Sequence, residues 1–488
     1  METPMFTNSP RIVIAALKGG SGKTILSLGL TAAWRKSGLK VAPFKKGPDF
    51  IDAGWLAFSA ERPCYNLDPF LMDGNQILNS FYRHSGDADL SLIEGNRGLY
   101  DGMDLEGSCS TAELAKLLRA PVIIIVDVTM TTRTVAAIVK GCQAFDPDLN
   151  TAAVILNRVA GPRQEQLIRN AIETYCGIPV VGSVPKLKEN LFPERHMGLV
   201  PHQERGQAEK AVTWTRMIVE DHLDLEAVGQ ISRNAGAAPP LPEVSNPCPA
   251  AAPAGERLRI GYMRDSAFWF YYPENIECLG KNATLIELDA LVAPQLPELD
   301  ALYIGGGFPE TQAEALADNS GFRRSLKKAI DGGLPVYAEC GGFMYLGETL
   351  HVNECEYPMV GALPVDFMLK SRPQGHGYTV LEVERSNPYF EVGERIRGHE
   401  FHYSKPELKG REQVEFVFRV ERGHGVDGKW DGIRKKNLLA TYTHLHAGGS
   451  PWWAERLLRV ARAYHGAGKN FSETSKRTID NPVNLKYI

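Results

Sequence analysis

Residues 11–24 read RIVIAALKGGSGKT, and residues 39–45 read LKVAPFK. The first stretch is a β-branched apolar run, too short for a helix, that breaks into a glycine-rich turn. Helical spacing takes over from about Thr24 to Ser37, and LKVAPFK then starts a second extended run. Strand, turn, helix and strand in that order make a βαβ unit, so the chain opens as an α/β fold. DLSLIEG, PVIIIVDV and TAAVILN continue it. Each is a short apolar run closed by polar or glycine residues, the pattern of strands buried in a parallel sheet.

The turn carries chemistry. Glycines let successive backbone N–H groups point inward around phosphate oxygens, and the helix that follows adds positive potential at its N-terminus. Lys23 is placed to reach the β and γ phosphates and Thr24 to ligate Mg²⁺. Lys18, Gly19, Gly20, Ser21, Gly22, Lys23 and Thr24 are therefore the candidate nucleotide-binding residues. The strict spacing G-x-x-x-x-G-K-[ST] wants glycine where Leu17 stands, so this is the deviant loop with an early lysine, Lys18. Carboxylates at the C-terminal edge of a parallel sheet beside such a loop are placed to hold the metal. Asp49, in KKGPDFID, and Glu94, in LIEGNRGLYDG, are the candidates, with Asp101 facing the same cleft. Asp52 and Asp127 carry a weaker signal, since turn and cap acids look the same in sequence.

From Ala235 to Gly255 the chain reads AGAAPPLPEVSNPCPAAAPAG. Closely spaced prolines remove backbone donors and fix φ, so this is a linker. Beyond it RLRIGYMRD, ATLIELD, ALYIGGG and LPVYAECGG restart the alternation as a second open α/β sheet. The domain boundaries read as 1–234, a linker at 235–256, 257–465 and a polar C-terminal tail at 466–488. With 54 basic and 58 acidic residues among 488, a net of -4, the chain has no basic excess to steer it onto nucleic acid or an anionic membrane. The longest strongly apolar stretch, Pro121 to Val126, is far below the roughly 18 to 20 residues of a membrane span. No secretory leader is readable, so the expected address is the cytoplasm. Eight cysteines without a C-x-x-C pair make neither a metal site nor a disulfide framework.

In LPVYAECGGFMYL a strand runs straight into Glu339-Cys340-Gly341-Gly342 and then a helix. Such an elbow lifts a nucleophile off the sheet edge, and the small residues after it let the turn close. Cys340 is the candidate nucleophile and Gly306, Gly307 and Gly341 the candidate oxyanion donors. His444, after NLLATYT, is the candidate base that makes the thiolate.

The loop resembles the deviant P-loop ATPases, among them partitioning ATPases and dethiobiotin synthetase. AECGGFMYL, GGGFPE and the late Tyr-x-His resemble a class I glutamine amidotransferase of the cobyric-acid type, and GPDFID with EGNRGLYDG resembles its synthetase partner. Together with RGHEFHYS (397–404) they are similar to the cobyrinate a,c-diamide synthase family from about Arg11 to Tyr464. The resemblance implies two open, mainly parallel-sheet domains, one P-loop and dethiobiotin-synthetase-like, the other flavodoxin-like. It implies ATP- and glutamine-dependent amidation of the a and c carboxylates of a tetrapyrrole polycarboxylate through an acyl phosphate, and a homodimer. Cys340, His444 and Asp101 then take the catalytic roles, Thr24, Asp49 and Glu94 hold Mg²⁺, and His399, Glu400 and His402 shape the boundary between domains. Three departures stand out. His446 occupies the place where triad amidotransferases often carry glutamate, so a Cys-His dyad is expected. Lys45-Lys46 and Asn96-Arg97 add cations near the acids, which keeps siroheme or sirohydrochlorin open as the tetrapyrrole. A P-loop switch ATPase is the rival from another class, and it leaves the second domain without a task.

Overall fold

Arg11–Ala16, the strand β1, is buried along its whole length. Its side chains alternate between two cores: Ile12 and Ile14 pack on one face, Val13 and Ala15 on the other. Burial on both faces is what makes the run apolar without alternation. The computed structural model describes residues 9–187, 192, 194–195, 198–199, 205–240 and 257–479. They divide into two units, Met1–Ser245 and Asn246–Ile488.

In the first unit β1 is followed by α1 (Lys23–Lys36), β2 (Val41–Lys46), α2 (Phe50–Ala60), β3 (Tyr65–Leu67), β4 (Leu90–Glu94), β5 (Val122–Asp127), β6 (Thr151–Val159) and β7 (Val180–Pro185), with further helices between. The sheet order is β3-β2-β4-β1-β5-β6-β7 and every pairing is parallel. The order reverses direction around β1. The crevice beyond its carboxyl end, where an open α/β sheet binds ligands, is therefore the place of the glycine-rich loop.

The second unit has a nine-stranded sheet. Ala283–Leu288, Leu258–Met263, Ala301–Ile304, Val336–Glu339 and Leu438–Thr441 lie side by side and parallel. Trp430–Lys435, Glu415–Arg422, Gly375–Val383 and Arg395–His402 then extend the sheet antiparallel. The sequence reading, a second open and mainly parallel α/β sheet, does not locate these antiparallel strands. Connection length accounts for the first of these pairings: two residues join Trp430–Lys435 to Leu438–Thr441, and a parallel pair needs a longer crossover.

Residues 241–256, most of the expected linker, lie outside the described residues, as do 480–488. The tail expected from Gly466 is instead helical, because the helix Trp452–Ile479 continues through its first part. The polar residues there are compatible with a helix, and Pro482, the residue that cannot continue one, comes only afterwards. Among the described residues no helix is long and apolar enough to cross a membrane.

Candidate active site

The loop after β1 closes on itself. Ser21 Oγ donates to the Lys18 carbonyl (3.1 Å), and Asn157 Nδ2, from the end of β6, donates to the Ser21 carbonyl (2.9 Å). Gly22, at φ 95, turns the chain into α1, and a Cβ there would stand 2.5 Å from Asn157 Nδ2. Only glycine satisfies both the angle and the space. Lys23 is 8% exposed, and its Nζ donates to the carbonyl of Arg97 (2.6 Å). Burial lowers the Lys23 ammonium from its usual range, with nearby Lys45 adding to the effect.

Three elements meet at the acids. Parallel pairing sets Lys45 of β2 beside Glu94 of β4. Thr24 Oγ1 donates to Glu94 Oε1 (2.8 Å), while Lys45 Nζ reaches Glu94 Oε1 (2.8 Å) and Asp52 Oδ2 (2.6 Å). Burial pushes the Lys45 ammonium down, but Asp52 and Glu94 together outweigh it and hold it above its usual range. Asp49 caps α2 by accepting the Asp52 N–H (2.9 Å), and burial with Asp52 nearby pushes its carboxyl up to about 7. Thr24, Asp49 and Glu94 are thus brought together, with Asp52 tied to the same cluster. Asp101 is exposed and closes the turn that carries Arg97, accepting the Gly98 N–H (2.8 Å). Asp127 lies apart, held by Arg158 (2.7 Å) and Thr129 (2.6 Å), with Lys18 4.0 Å away.

In the second unit Cys340 sits at φ 47, ψ -101, between Val336–Glu339 and the short helix Gly341–Leu346. A non-glycine residue held there is strained, as a nucleophile elbow requires. Its Sγ lies 3.7 Å from the Phe401 carbonyl oxygen. Gly306 lies directly under His444: a Cβ on it would come 2.4 Å from Cε1 and 3.2 Å from Nε2 of the ring. The Gly307 nitrogen lies 3.0 Å from where a Cβ on Gly341 would stand. Cys340, His444 and the candidate oxyanion glycines therefore converge. Asp431 secures the approach to His444, accepting from Thr441 Oγ1 (2.7 Å) and the Tyr442 N–H (3.1 Å).

RGHEFHYS lies on the strand Arg395–His402 and just after it, and its side chains find partners within this unit. His399 stacks on His444 with ring centroids 4.8 Å apart, and His402 stacks on Tyr442 at 3.6 Å. Glu400 accepts the Gly425 N–H (2.9 Å).

Glu310 was not singled out by the sequence. Burial pushes its carboxyl up to about 7, and after burial itself its charge is the largest influence raising the Cys340 thiol. Above pH 7 an ionised Glu310 opposes thiolate formation. Replacing it by glutamine (Glu310→Gln) is expected to speed iodoacetamide labelling of Cys340 about 3- to 10-fold at about pH 8.5 and to change little at about pH 5.5. Peptide mass spectrometry reads the rate; equal labelling at the higher pH contradicts this coupling.

Comparison with known proteins agrees with this division. Residues 12–200 match the CobQ/CobB/MinD/ParA nucleotide binding domain, and residues 259–452 match the CobB/CobQ-like glutamine amidotransferase domain. The chain is 44% identical over 458 residues to cobyrinate a,c-diamide synthase of Magnetococcus marinus, covering 93% of this chain and 97% of that one. The enzyme of the same name from Archaeoglobus fulgidus is 41% identical over 453 residues, with the same coverage. The chain belongs to the cobyrinate a,c-diamide synthase family. Among solved structures, a glutamine amidotransferase covers 41% of the chain and 98% of its own (21% identity, TM-score 0.31). The MinD cell division protein of Aquifex aeolicus covers 46% and 96% (19% identity, TM-score 0.29).

Within this family the two departures at lysine and histidine acquire structural content. Lys45 is neutralised inside the acid cluster, so it is no free cation for a substrate. His446 points away from the thiol site: its Nδ1 accepts the Gly448 N–H (3.0 Å) and its Nε2 faces Glu274 Oε2 (3.4 Å).

Proposed function

We propose that this chain converts the a and c carboxylates of a tetrapyrrole polycarboxylate to amides with ATP and glutamine, and that the tetrapyrrole is cobyrinate. The observation that carries the reading is the presence on one chain of both centres: Lys23 on the Arg97 carbonyl with Thr24 against Glu94, and a strained Cys340 beside His444. The name shared by the relatives supports the substrate. Residues 257–465 take the glutamine step. His444 removes the thiol proton, Cys340 Sγ attacks the glutamine amide carbon, and Gly306, Gly307 and Gly341 N–H groups face the oxyanion. His444 then protonates the amide nitrogen of the tetrahedral intermediate, the C–N bond breaks and ammonia leaves, and water releases glutamate from the thioester.

Residues 1–234 take the synthetase step. The substrate carboxylate attacks the γ phosphorus of ATP, ADP leaves, and ammonia displaces phosphate from the acyl phosphate. Lys18 to Thr24 wrap the phosphates, and Asp101 orients substrate or ammonia. Magnesium fits the acid cluster through Thr24, Asp49 and Glu94, because Glu94 Oε2 is a buried carboxylate oxygen with no hydrogen-bond partner among the described residues. Among the described residues no three His, Cys, Asp or Glu side chains form a metal site alone, so phosphate oxygens and water would supply the remaining ligands. When bound, it supplies neutralisation of the charge on the transferring phosphoryl group. A cytoplasmic homodimer belongs to the same reading and rests on the family resemblance.

The test is ADP release with glutamine and, separately, cobyrinate, sirohydrochlorin and siroheme. Release stimulated about tenfold or more by cobyrinate is expected. Stimulation by siroheme or sirohydrochlorin alone keeps the chemistry and changes the substrate. ADP release indifferent to every tetrapyrrole and to glutamine is the behaviour of a switch ATPase and overturns the proposal.

A further inference from the structure

His444 is gripped on several sides, and one of its neighbours is a carboxylate that local sequence spacing conceals. Glu339, the residue immediately before Cys340, is 1% exposed, and its Oε2 lies 3.4 Å from His444 Nδ1. Its second oxygen, Oε1, accepts the Leu445 N–H (3.1 Å), so the carboxylate is bonded to the segment that carries the histidine. Tyr303 Oη donates to Oε2 (3.0 Å), and Asn275 Nδ2 in turn reaches Tyr303 Oη (3.3 Å) and the Leu445 carbonyl (2.8 Å). Parallel pairing of Glu339 with Thr441 fixes the register that permits these contacts. Successive residues of a strand point to opposite faces, but the left-handed turn at Cys340 ends the strand there, so carboxylate and thiol both serve one histidine.

We infer that Glu339 is the positioning carboxylate for His444, in place of an acid two residues after the histidine. This rests on the glutamine-hydrolysing role proposed above. A proton on Nδ1 would face this carboxylate, 3.4 Å away, which leaves Nε2, the nitrogen over Gly306, as the base. During the reaction Nε2 receives a proton from Cys340 Sγ and passes it to the amide nitrogen, which leaves as ammonia, while the Glu339 carboxylate faces the imidazolium and steadies its orientation. His446, at the position other triads give to glutamate, is committed to Gly448 and Glu274 and plays no part.

The experiment is steady-state kinetics of the full chain with ATP, cobyrinate and either glutamine or ammonia, for Glu339→Gln, Glu339→Asp, His446→Gln and Cys340→Ala. Glu339→Gln is expected to lower kcat with glutamine about 10²- to 10⁴-fold while KM for glutamine changes less than about threefold. The ammonia-driven rate, which bypasses this site, is the internal reference. Glu339→Asp recovers part of the lost kcat, and His446→Gln stays within about threefold of the parent. Glu339→Gln with parental kcat overturns the inference. So does an aspartate variant as inactive as the glutamine one with KM raised in step, which marks a merely structural residue. Cys340→Ala separates the two failures: if it still uses glutamine, the proposed glutamine chemistry itself falls, whereas an inert Cys340→Ala beside a fully active Glu339→Gln removes only the role given to Glu339.

Discussion

Replacing Cys340 by alanine is expected to lower amide formation from glutamine by at least about 10³-fold while leaving amide formation from a high concentration of ammonia within about twofold of the parent. The reason is the division of labour proposed for the two units. The thiol is the only group at the strained elbow that can carry the glutamyl thioester, and its removal leaves a small void in a buried turn with no change at the acid cluster of the first unit. Rates with each nitrogen source, on the same preparation, decide it. Loss of both activities contradicts separate roles for the two units, and retention of both removes Cys340 from the chemistry.

Lys23→Ala is the complementary case. The Lys23 ammonium donates to the backbone carbonyls of Arg97 and Lys18, and in the proposed complex it lies against the β and γ phosphates as charge moves onto the leaving ADP. Synthesis with either nitrogen source is expected to fall about 10²- to 10³-fold, whereas hydrolysis of glutamine continues. Measured ADP release and glutamate release distinguish the two. Undiminished synthesis takes the glycine-rich loop out of the nucleotide site, and glutamate release lost in parallel shows that the two centres are not separable.

The fold was readable from the chain where local pattern is enough. RIVIAALKGGSGKT holds strand, turn and helix within fourteen residues, and the tight loop geometry at Gly22 follows from the same residues. AECGG is equally local, because an elbow is made by neighbours in sequence. What escaped needs distant partners. Lys45 reads as a spare cation until the pairing of β2 with β4 sets it against Glu94. Glu339 is hidden for the same reason: its use depends on the segment around His444, more than a hundred residues later, arriving at its side. Spacing from His444 points instead to His446, which folds back on its own turn. The antiparallel strands after Gly375 were missed because their alternating, half-buried pattern does not reveal the direction of the neighbour. The helix that runs on past Gly466 shows that polarity alone does not end a helix.

Mass spectrometry of the tetrapyrrole after incubation with the protein, ATP, Mg²⁺ and glutamine tests the central claim most directly. Cobyrinate carrying two acid-to-amide conversions, formed only when ATP and a nitrogen source are both present, is the expected result. Cobyrinate, sirohydrochlorin and siroheme all recovered unchanged with glutamine, and unchanged again with ammonia, contradicts it.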